Sequence, residues 1–150
     1  MSFNNSLSNF DINNILKHLG LEIIGIYAKD RLPAELKKGF YIINLNNHNE
    51  EGSHWTAFYY NNPDYSIYFD SYGFPAPTII ENRIKPYIFN DRDIQAFNST
   101  ACGYFCIAFI YYLYFKHDKY EPFEVFIDLF SDKLNKNDEI LQNMLNIQLT

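Results

Sequence analysis

The chain has 150 residues, of which 47% are apolar and 20% are charged, and its formal net charge is −6. This length and composition fit one compact domain over residues 1–150 and exclude an intrinsically disordered chain. The negative charge argues against the binding of nucleic acid or of an anionic membrane as the main activity.

The two cysteines, Cys102 and Cys106, are too few for a secreted disulfide scaffold. They lie four residues apart in a predicted helix, where the geometry of a disulfide would be poor. We therefore expect two free thiols in a reducing compartment. The first residues lack the basic and apolar regions of a signal peptide, and the longest apolar run, 101–115, is too short to span a membrane. We expect no secretion by a signal peptide and no membrane partner.

The first half of the chain predicts one helix followed by short strands. Ser8 is a typical N-cap, apolar residues follow at helical spacing as far as Leu19, and Gly20 is a typical stop. Runs rich in β-branched and aromatic residues, separated by turn-forming residues, predict four strands. These strands are 21–27, 40–45, 53–60 and 65–70. The turn sequence at 61–64 places the last two on neighbouring antiparallel strands.

The second half predicts mainly helices. Residues 77–88 suit a helix broken near Pro86, and 93–97 are predicted to form a fifth strand. Residues 98–100 supply cap residues for a helix over 101–116, which is apolar nearly all round and therefore buried. Two amphipathic helices are predicted at 122–130 and 138–147. This order predicts an α+β domain, with a mixed sheet of about five strands on a buried central helix and further helices outside.

Cys102 is the first candidate for chemistry, because it falls in the first turn of the predicted central helix. The helix dipole and the unpaired N–H groups there favour a thiolate. Gly103, which follows it, would let a substrate backbone pass close to the sulfur. The alternative is that Cys102 is an ordinary small apolar residue of a core helix.

A cysteine nucleophile needs a base, and the base needs an orienting acceptor. His54 lies among apolar residues at the start of a predicted strand, and Asp70 ends the next one. A carboxylate after an apolar strand is costly to bury without a partner. We therefore predict that Asp70 accepts from one ring nitrogen of His54 while the other nitrogen faces Cys102. A purely structural pair of His54 and Asp70 is the alternative.

Gln95 lies seven residues before Cys102, and its amide could donate to an oxyanion beside the backbone N–H of Cys102. Considered alone, it could equally be a surface glutamine. A zinc site formed by Cys102, Cys106 and His54 lacks the usual paired ligand spacing, so we expect no metal and no cofactor.

Taken together and in this order, four stretches resemble the adenovirus maturation endopeptidase (adenain) family. They are the run Gly52-Ser53-His54-Trp55, the run 68–74 around Asp70, Gln95, and the run 98–106 around Cys102. That family belongs to a clan containing the ubiquitin-like-protein proteases and proteases of large DNA viruses and virophages. The likeness extends upstream to 15–20 and 25–33 and covers about residues 12–114.

The resemblance implies an adenain-like cysteine protease fold and a cysteine endopeptidase, the maturation protease of a virophage or a related viral element. It implies Cys102 as nucleophile, His54 as general base and then acid, Asp70 as orienting carboxylate, and Gln95 with the Cys102 N–H as oxyanion hole. Trp55 matches the tryptophan that lines a narrow substrate channel in the family, although a plain core tryptophan fits equally well.

The same resemblance implies viral capsid or core precursors as substrates, cut at Gly-rich sites in the virion or the infected host cell. The chain departs from the family in having no third cysteine to pair with an activating peptide, and its acidity is unfavourable for activation by DNA. We therefore expect a monomer that needs neither activator. The alternatives are a protease that removes ubiquitin or a ubiquitin-like modifier and, from another class, a binding module that has lost catalysis.

Overall fold

A computed structural model describes residues 6–49 and 54–146. This part of the chain has an α+β architecture with a five-stranded mixed sheet and five α-helices. In chain order the elements are α1 (Asn9–His18), β1 (Gly25–Ala28), β2 (Gly39–Asn44), β3 (Trp55–Tyr60), β4 (Ser66–Phe69), α2 (Thr78–Ile84), β5 (Tyr87–Phe89), α3 (Cys102–Leu113), α4 (Tyr120–Asp128) and α5 (Asn137–Leu145). A single 3₁₀ turn, Leu134–Lys136, precedes α5. None of the helices in the described ranges combines the length and the apolar character needed to cross a membrane.

The strands follow one another across the sheet in the order in which they occur in the chain. The three central strands, β2 to β4, are antiparallel, whereas β1 and β5 lie parallel to their neighbours. Ala57 of β3 pairs with Phe69 of β4, so the first residues of β3 lie beside the last residues of β4, at the same end of these two neighbouring strands. This register brings His54 and Asp70 together.

Helix α3 forms the centre of the larger core, as its uniformly apolar sequence predicts. Nine of its twelve residues are buried, and it packs against β3, α1, α4 and α5. The ring of Phe109 stacks on Phe69 of the sheet at a centroid distance of 5.2 Å. Because Phe109 is fully buried, we estimate that its replacement by Ala costs about 3–5 kcal/mol of stability. Cys102, the candidate nucleophile, therefore lies on a helix whose side chains are mostly buried.

A second, smaller core covers the opposite face of the sheet. Ile80 and Ile84 of α2 pack there against Tyr41 and Phe58, whose rings stack at 4.6 Å. The sheet is thus buried on both faces.

The predictions for α1 and for the strands before residue 70 are confirmed, with small shifts in their ends. Ser8 caps α1 and forms a reciprocal capping box with Asp11, and Gly20 follows the helix at a φ of +73°. The strand predicted at 21–27 is shorter, because only its last part pairs with β2, as Gly25–Ala28. The strand predicted at 53–60 begins at Trp55, and Ser53 lies outside the described residues.

The prediction of a fifth strand at 93–97 is wrong. That segment is a loop, in which the backbone N–H groups of Ile94 and Gln95 both donate to the carbonyl of Ser71 instead of forming a ladder. The fifth strand is Tyr87–Phe89, which pairs with β4 directly after Pro86. The helix predicted over 77–88 therefore ends at Ile84, and the predicted break near Pro86 is confirmed.

The helices of the second half differ from the predictions mainly at their ends. Helix α3 ends at Leu113, where Lys116 N–H donates to its carbonyl and tightens the chain into a turn. Residues 98–100 do not cap α3 as predicted, because the N-cap position is Ala101 and no side chain caps it. Helix α5 ends where Asn146 adopts a left-handed conformation, and the predicted last residue, Ile147, lies outside the described residues.

Candidate active site

Three elements meet where β3 begins and β4 ends, and together they form the candidate site. His54 immediately precedes β3, Asp70 immediately follows β4, and Cys102 is the first residue of α3, which packs on β3. Each side chain therefore stands at the end of a regular element. The buried remainder of that element holds it in place.

His54 and Asp70 form the predicted pair. His54 Nε2 lies 2.9 Å from Asp70 Oδ1, and the two side chains are 18% and 2% exposed. The backbone N–H of Tyr72 donates to the same carboxylate oxygen at 2.8 Å. The ring of Tyr72 lies against that of His54, with centroids 4.9 Å apart. Two donors thus compensate the burial of the Asp70 carboxylate.

The thiol of Cys102 lies close enough to raise the pKa of His54, and Nδ1 is the ring nitrogen left for it because Nε2 is engaged with Asp70. Burial alone would lower the pKa of His54. The hydrogen bonds and negative charges of Asp70 and Cys102 outweigh burial and raise this pKa from 6.5 to about 9. At neutral pH the ring is therefore protonated, and a protonated histidine beside a cysteine is an arrangement that can serve nucleophilic catalysis.

The two cysteines have different environments, although both thiols are free as predicted. Cys102 lies in the first turn of α3, whose end is not capped by a side chain. Cys106 lies one turn further along and is fully buried, and burial raises its pKa well above the ordinary value. Because the reactive form of a cysteine is the thiolate, Cys106 is inert.

Gln95 is buried in the loop that leads to α3, and its amide has defined partners. Its Oε1 accepts from the hydroxyl of Ser71 at 2.5 Å, and its Nε2 donates to the carbonyl of Ser99 at 2.9 Å. It is therefore not the surface glutamine that was considered as an alternative. One of the two hydrogens on Nε2 satisfies Ser99, and the second remains as a donor.

Trp55 and Gly103 form one surface beside the pair of His54 and Cys102, and the side chain of Leu7 covers it. The indole N–H of Trp55 donates to the carbonyl of Leu7 at 2.8 Å. A Cβ on Gly103 would lie 3.2 Å from Leu7 Cδ1 and 3.4 Å from Trp55 Cδ1. A cleft of about 390 Å³ continues from Leu7 and Trp55 towards His48. A peptide that reaches Trp55 and Gly103 must therefore share this surface with Leu7 or displace it.

Two polar residues that sequence reasoning missed support the site. The side chain of Asn90 hydrogen-bonds both backbone groups of Asp70: it donates to the carbonyl at 2.6 Å and accepts from the N–H at 3.2 Å. Asp138, at the start of α5, accepts from the hydroxyl of Ser99 at 3.0 and 3.1 Å. The position of Asn90 directly after an apolar strand was a usable signal. The role of Asp138 depends on a contact across 39 residues and had no local signal.

A second histidine–aspartate pair lies outside the site. His48 Nδ1 is 2.5 Å from Asp30 Oδ2, and Arg31 lies 2.7 Å from His48 Nε2. Within the ranges that the structure describes, no group of three or more His, Cys, Asp or Glu side chains is arranged to hold a metal ion.

Comparisons with known proteins add little to this geometry. No protein-family model matches the chain, and no curated protein matches it. Among solved structures, the chain is similar to the central domain of the uncharacterized Lpg1148 protein from Legionella pneumophila. The sequence identity is 18%, the match covers 93% of this chain and 78% of that chain, and the TM-score is 0.38.

Proposed function

We propose that the chain is a cysteine endopeptidase of adenain-like fold with a Cys102–His54–Asp70 triad. The observation that carries the proposal is the series of Asp70, His54 and Cys102, in which His54 hydrogen-bonds the carboxylate and the thiol at the start of α3 lies close enough to raise the pKa of its ring. Such a series activates a sulfur nucleophile, and a structural histidine–aspartate pair would not require the thiol.

In the proposed mechanism, the Cys102 thiolate attacks the peptide carbonyl carbon, and the electron pair of the C=O bond moves to oxygen. The Cys102 N–H and the Gln95 amide stabilise this oxyanion. The His54 imidazolium gives its proton to the leaving amine as the C–N bond breaks, which leaves a thioester. His54 then takes a proton from water as the water oxygen bonds to the thioester carbon. The C–S bond breaks, which releases the carboxylic acid product and restores the Cys102 thiolate beside protonated His54.

The sequence resemblance supplies the substrate class. We propose viral precursor polypeptides cut at Gly-rich sites, in the virion or infected cell, by a monomer that needs no DNA or peptide activator. Gly103 at the first turn of α3 and Trp55 beside His54 would border a peptide path close to the sulfur once the peptide displaces Leu7, which contacts both.

The test is cleavage of fluorogenic Gly-rich peptides and of candidate precursor proteins, with products identified by mass spectrometry. We expect Cys102→Ala to lower kcat/KM by at least about 10³-fold. The matched variant Cys106→Ala should stay within about threefold because its thiol is inert. Full cleavage by Cys102→Ala together with loss in Cys106→Ala would show that the wrong thiol has been assigned.

Two further measurements separate the alternatives. Iodoacetamide near neutral pH should alkylate Cys102 and spare Cys106, and a Cys102 reactivity no greater than that of free cysteine favours an inactive binding module. Labelling of Cys102 by a ubiquitin-family vinyl-sulfone probe favours removal of a modifier over precursor processing.

Trp55 is the only tryptophan, so its fluorescence reports peptide binding to Cys102→Ala without turnover.

A further inference from the structure

Ser71 contacts Gln95 through both its side chain and its backbone. Its hydroxyl lies 2.5 Å from Gln95 Oε1, and its carbonyl accepts from the N–H groups of Ile94 and Gln95 at 2.8 and 3.1 Å. Ser71 is fully buried and Gln95 is 1% exposed, so water does not compete for these bonds. The three contacts tie the loop before α3 to the end of β4.

These contacts determine which way the Gln95 amide faces. A carbonyl oxygen only accepts hydrogen bonds, so the Ser71 hydroxyl must donate to Oε1. At its other end the amide meets the carbonyl of Ser99, which also only accepts. The flipped amide would place two oxygens against each other at Ser99, so a single orientation satisfies both partners.

The loop that carries Ser71 is itself held against the loop that carries Gln95. Gly73 has a φ of +80°, and a Cβ there would lie 2.8 Å from the backbone of Arg92 and Asp93. The chain can approach this closely only because residue 73 is glycine. Ser71 directly follows Asp70, so one short turn fixes both the carboxylate of the triad and the amide of Gln95.

We propose that Ser71 is a positioning residue that orients the Gln95 amide, so that the second hydrogen on Nε2 is directed at the oxyanion formed at Cys102. This inference rests on the proposed peptidase function and adds a residue to it. Ser71 acts through Gln95 and contacts no reacting atom. Its removal therefore leaves the amide anchored only at Ser99, which loosens its position and weakens oxyanion stabilisation without changing substrate binding.

The test is a double-mutant cycle of Ser71→Ala and Gln95→Ala. We expect Ser71→Ala to lower kcat about tenfold with KM unchanged, and to have no further effect once Gln95 is Ala. The rate of Cys102 alkylation by iodoacetamide should not change, because alkylation forms no oxyanion. Equal loss of kcat in both backgrounds, or no loss at all, would overturn the proposal.

Ser66→Ala is the matched control. Ser66 is also fully buried and its hydroxyl accepts from the N–H of Asn61, but it lies at the opposite end of β4. We expect Ser66→Ala to lower the free energy of unfolding as Ser71→Ala does, and to leave kcat unchanged. Should Ser71→Ala fail to fold, Ser71→Cys keeps the volume with a much weaker donor and is expected to give the same kinetic result.

A readout without turnover separates this inference from the peptidase proposal. In ¹H–¹⁵N spectra, the Gln95 side-chain amide hydrogens should exchange slowly in the wild-type chain and rapidly in Ser71→Ala. If their exchange is the same in both proteins, Ser71 does not orient Gln95, whether or not peptides are cleaved. If exchange changes but the wild-type chain cleaves no peptide, the orientation of Gln95 stands and the proposed function fails, and with it the role in catalysis.

Discussion

Residues 6–49 and 54–146 contain two histidine–aspartate pairs, which differ in the group that lies against the second ring nitrogen. In the pair of His48 and Asp30, the Arg31 guanidinium lies 2.7 Å from that nitrogen. Because a guanidinium only donates, this nitrogen of His48 is engaged by Arg31 and is not available to a nucleophile. In the pair of His54 and Asp70, the second nitrogen is left for the thiol of Cys102.

The two pairs also differ in burial. The side chains of His48 and Asp30 are 44% and 24% exposed, whereas those of His54 and Asp70 are 18% and 2% exposed. Solvent weakens the exposed pair, while the buried one acts in a medium of lower dielectric constant. In the proposed mechanism, a histidine–aspartate pair serves catalysis only where a ring nitrogen is left for a nucleophile.

The largest expected difference between the two pairs is in peptide cleavage by histidine variants. His54→Ala removes the group that activates the thiol and protonates the leaving amine, so we expect kcat/KM to fall at least about 10³-fold. His48→Ala should change it by less than about twofold, as for a surface substitution away from a site. A large loss in His48→Ala would show that the exposed pair also takes part.

In the proposed mechanism, the buried pair is assisted by Gln95 as an oxyanion donor. Gln95→Ala should lower kcat about 10²-fold with little change in KM, because the donor acts on charge that develops in the transition state. Steady-state kinetics on the same peptides measure this. Asn47→Ala, close to His48, is the control, and a similar loss there would contradict the assignment to Gln95.

The pH dependence of stability should also distinguish the two pairs. The pKa of folded His54 is raised to about 9 from 6.5, so its stabilisation is complete below about pH 6.5 and is lost as the pH rises through about 9. Allowing for its partial exposure, the loss is about 2 kcal/mol. Urea unfolding at pH 6 and pH 9.5 measures it. His54→Gln should flatten this dependence and His48→Gln should retain it.

The smallest predicted effect concerns the charge of Asp70. In Asp70→Asn the amide oxygen still accepts from Nε2, so the ring keeps its place, but the pKa of His54 should fall from about 9 towards 6.5. We expect cleavage at neutral pH to fall about tenfold. NMR titration of the His54 ring and the pH profile of Cys102 alkylation report the shift. Asp30→Asn should leave both unchanged, and a shift there would argue against the role of Asp70.

The features that could be predicted from the sequence are those that local signals determine. The capping box of α1 and the apolar composition of α3 are short-range patterns, and the turn at 61–64 determines the pairing of β3 with β4. Because that turn sets the register, it brings His54 and Asp70 together. This explains why the central pair of the site was predicted correctly.

The features that could not be predicted depend on contacts between distant segments. Strand β5 has three residues and joins the sheet only after the crossover through α2, so no local pattern separates it from 93–97. Leu7 meets Trp55 across 48 residues, and Ser99 meets Asp138 across 39. Contacts of this kind form through tertiary packing. Secondary-structure propensity and hydrophobic periodicity carry no information about them.

The order of strands across the sheet has a consequence for folding. Because β1 to β5 follow one another in space as in the chain, the sheet can assemble from neighbouring segments while residues 25–89 leave the ribosome. Cys102 and α3 are synthesised only after that. Because Cys102 follows the last strand in the chain, the proposed triad can be complete only after the whole sheet has been synthesised.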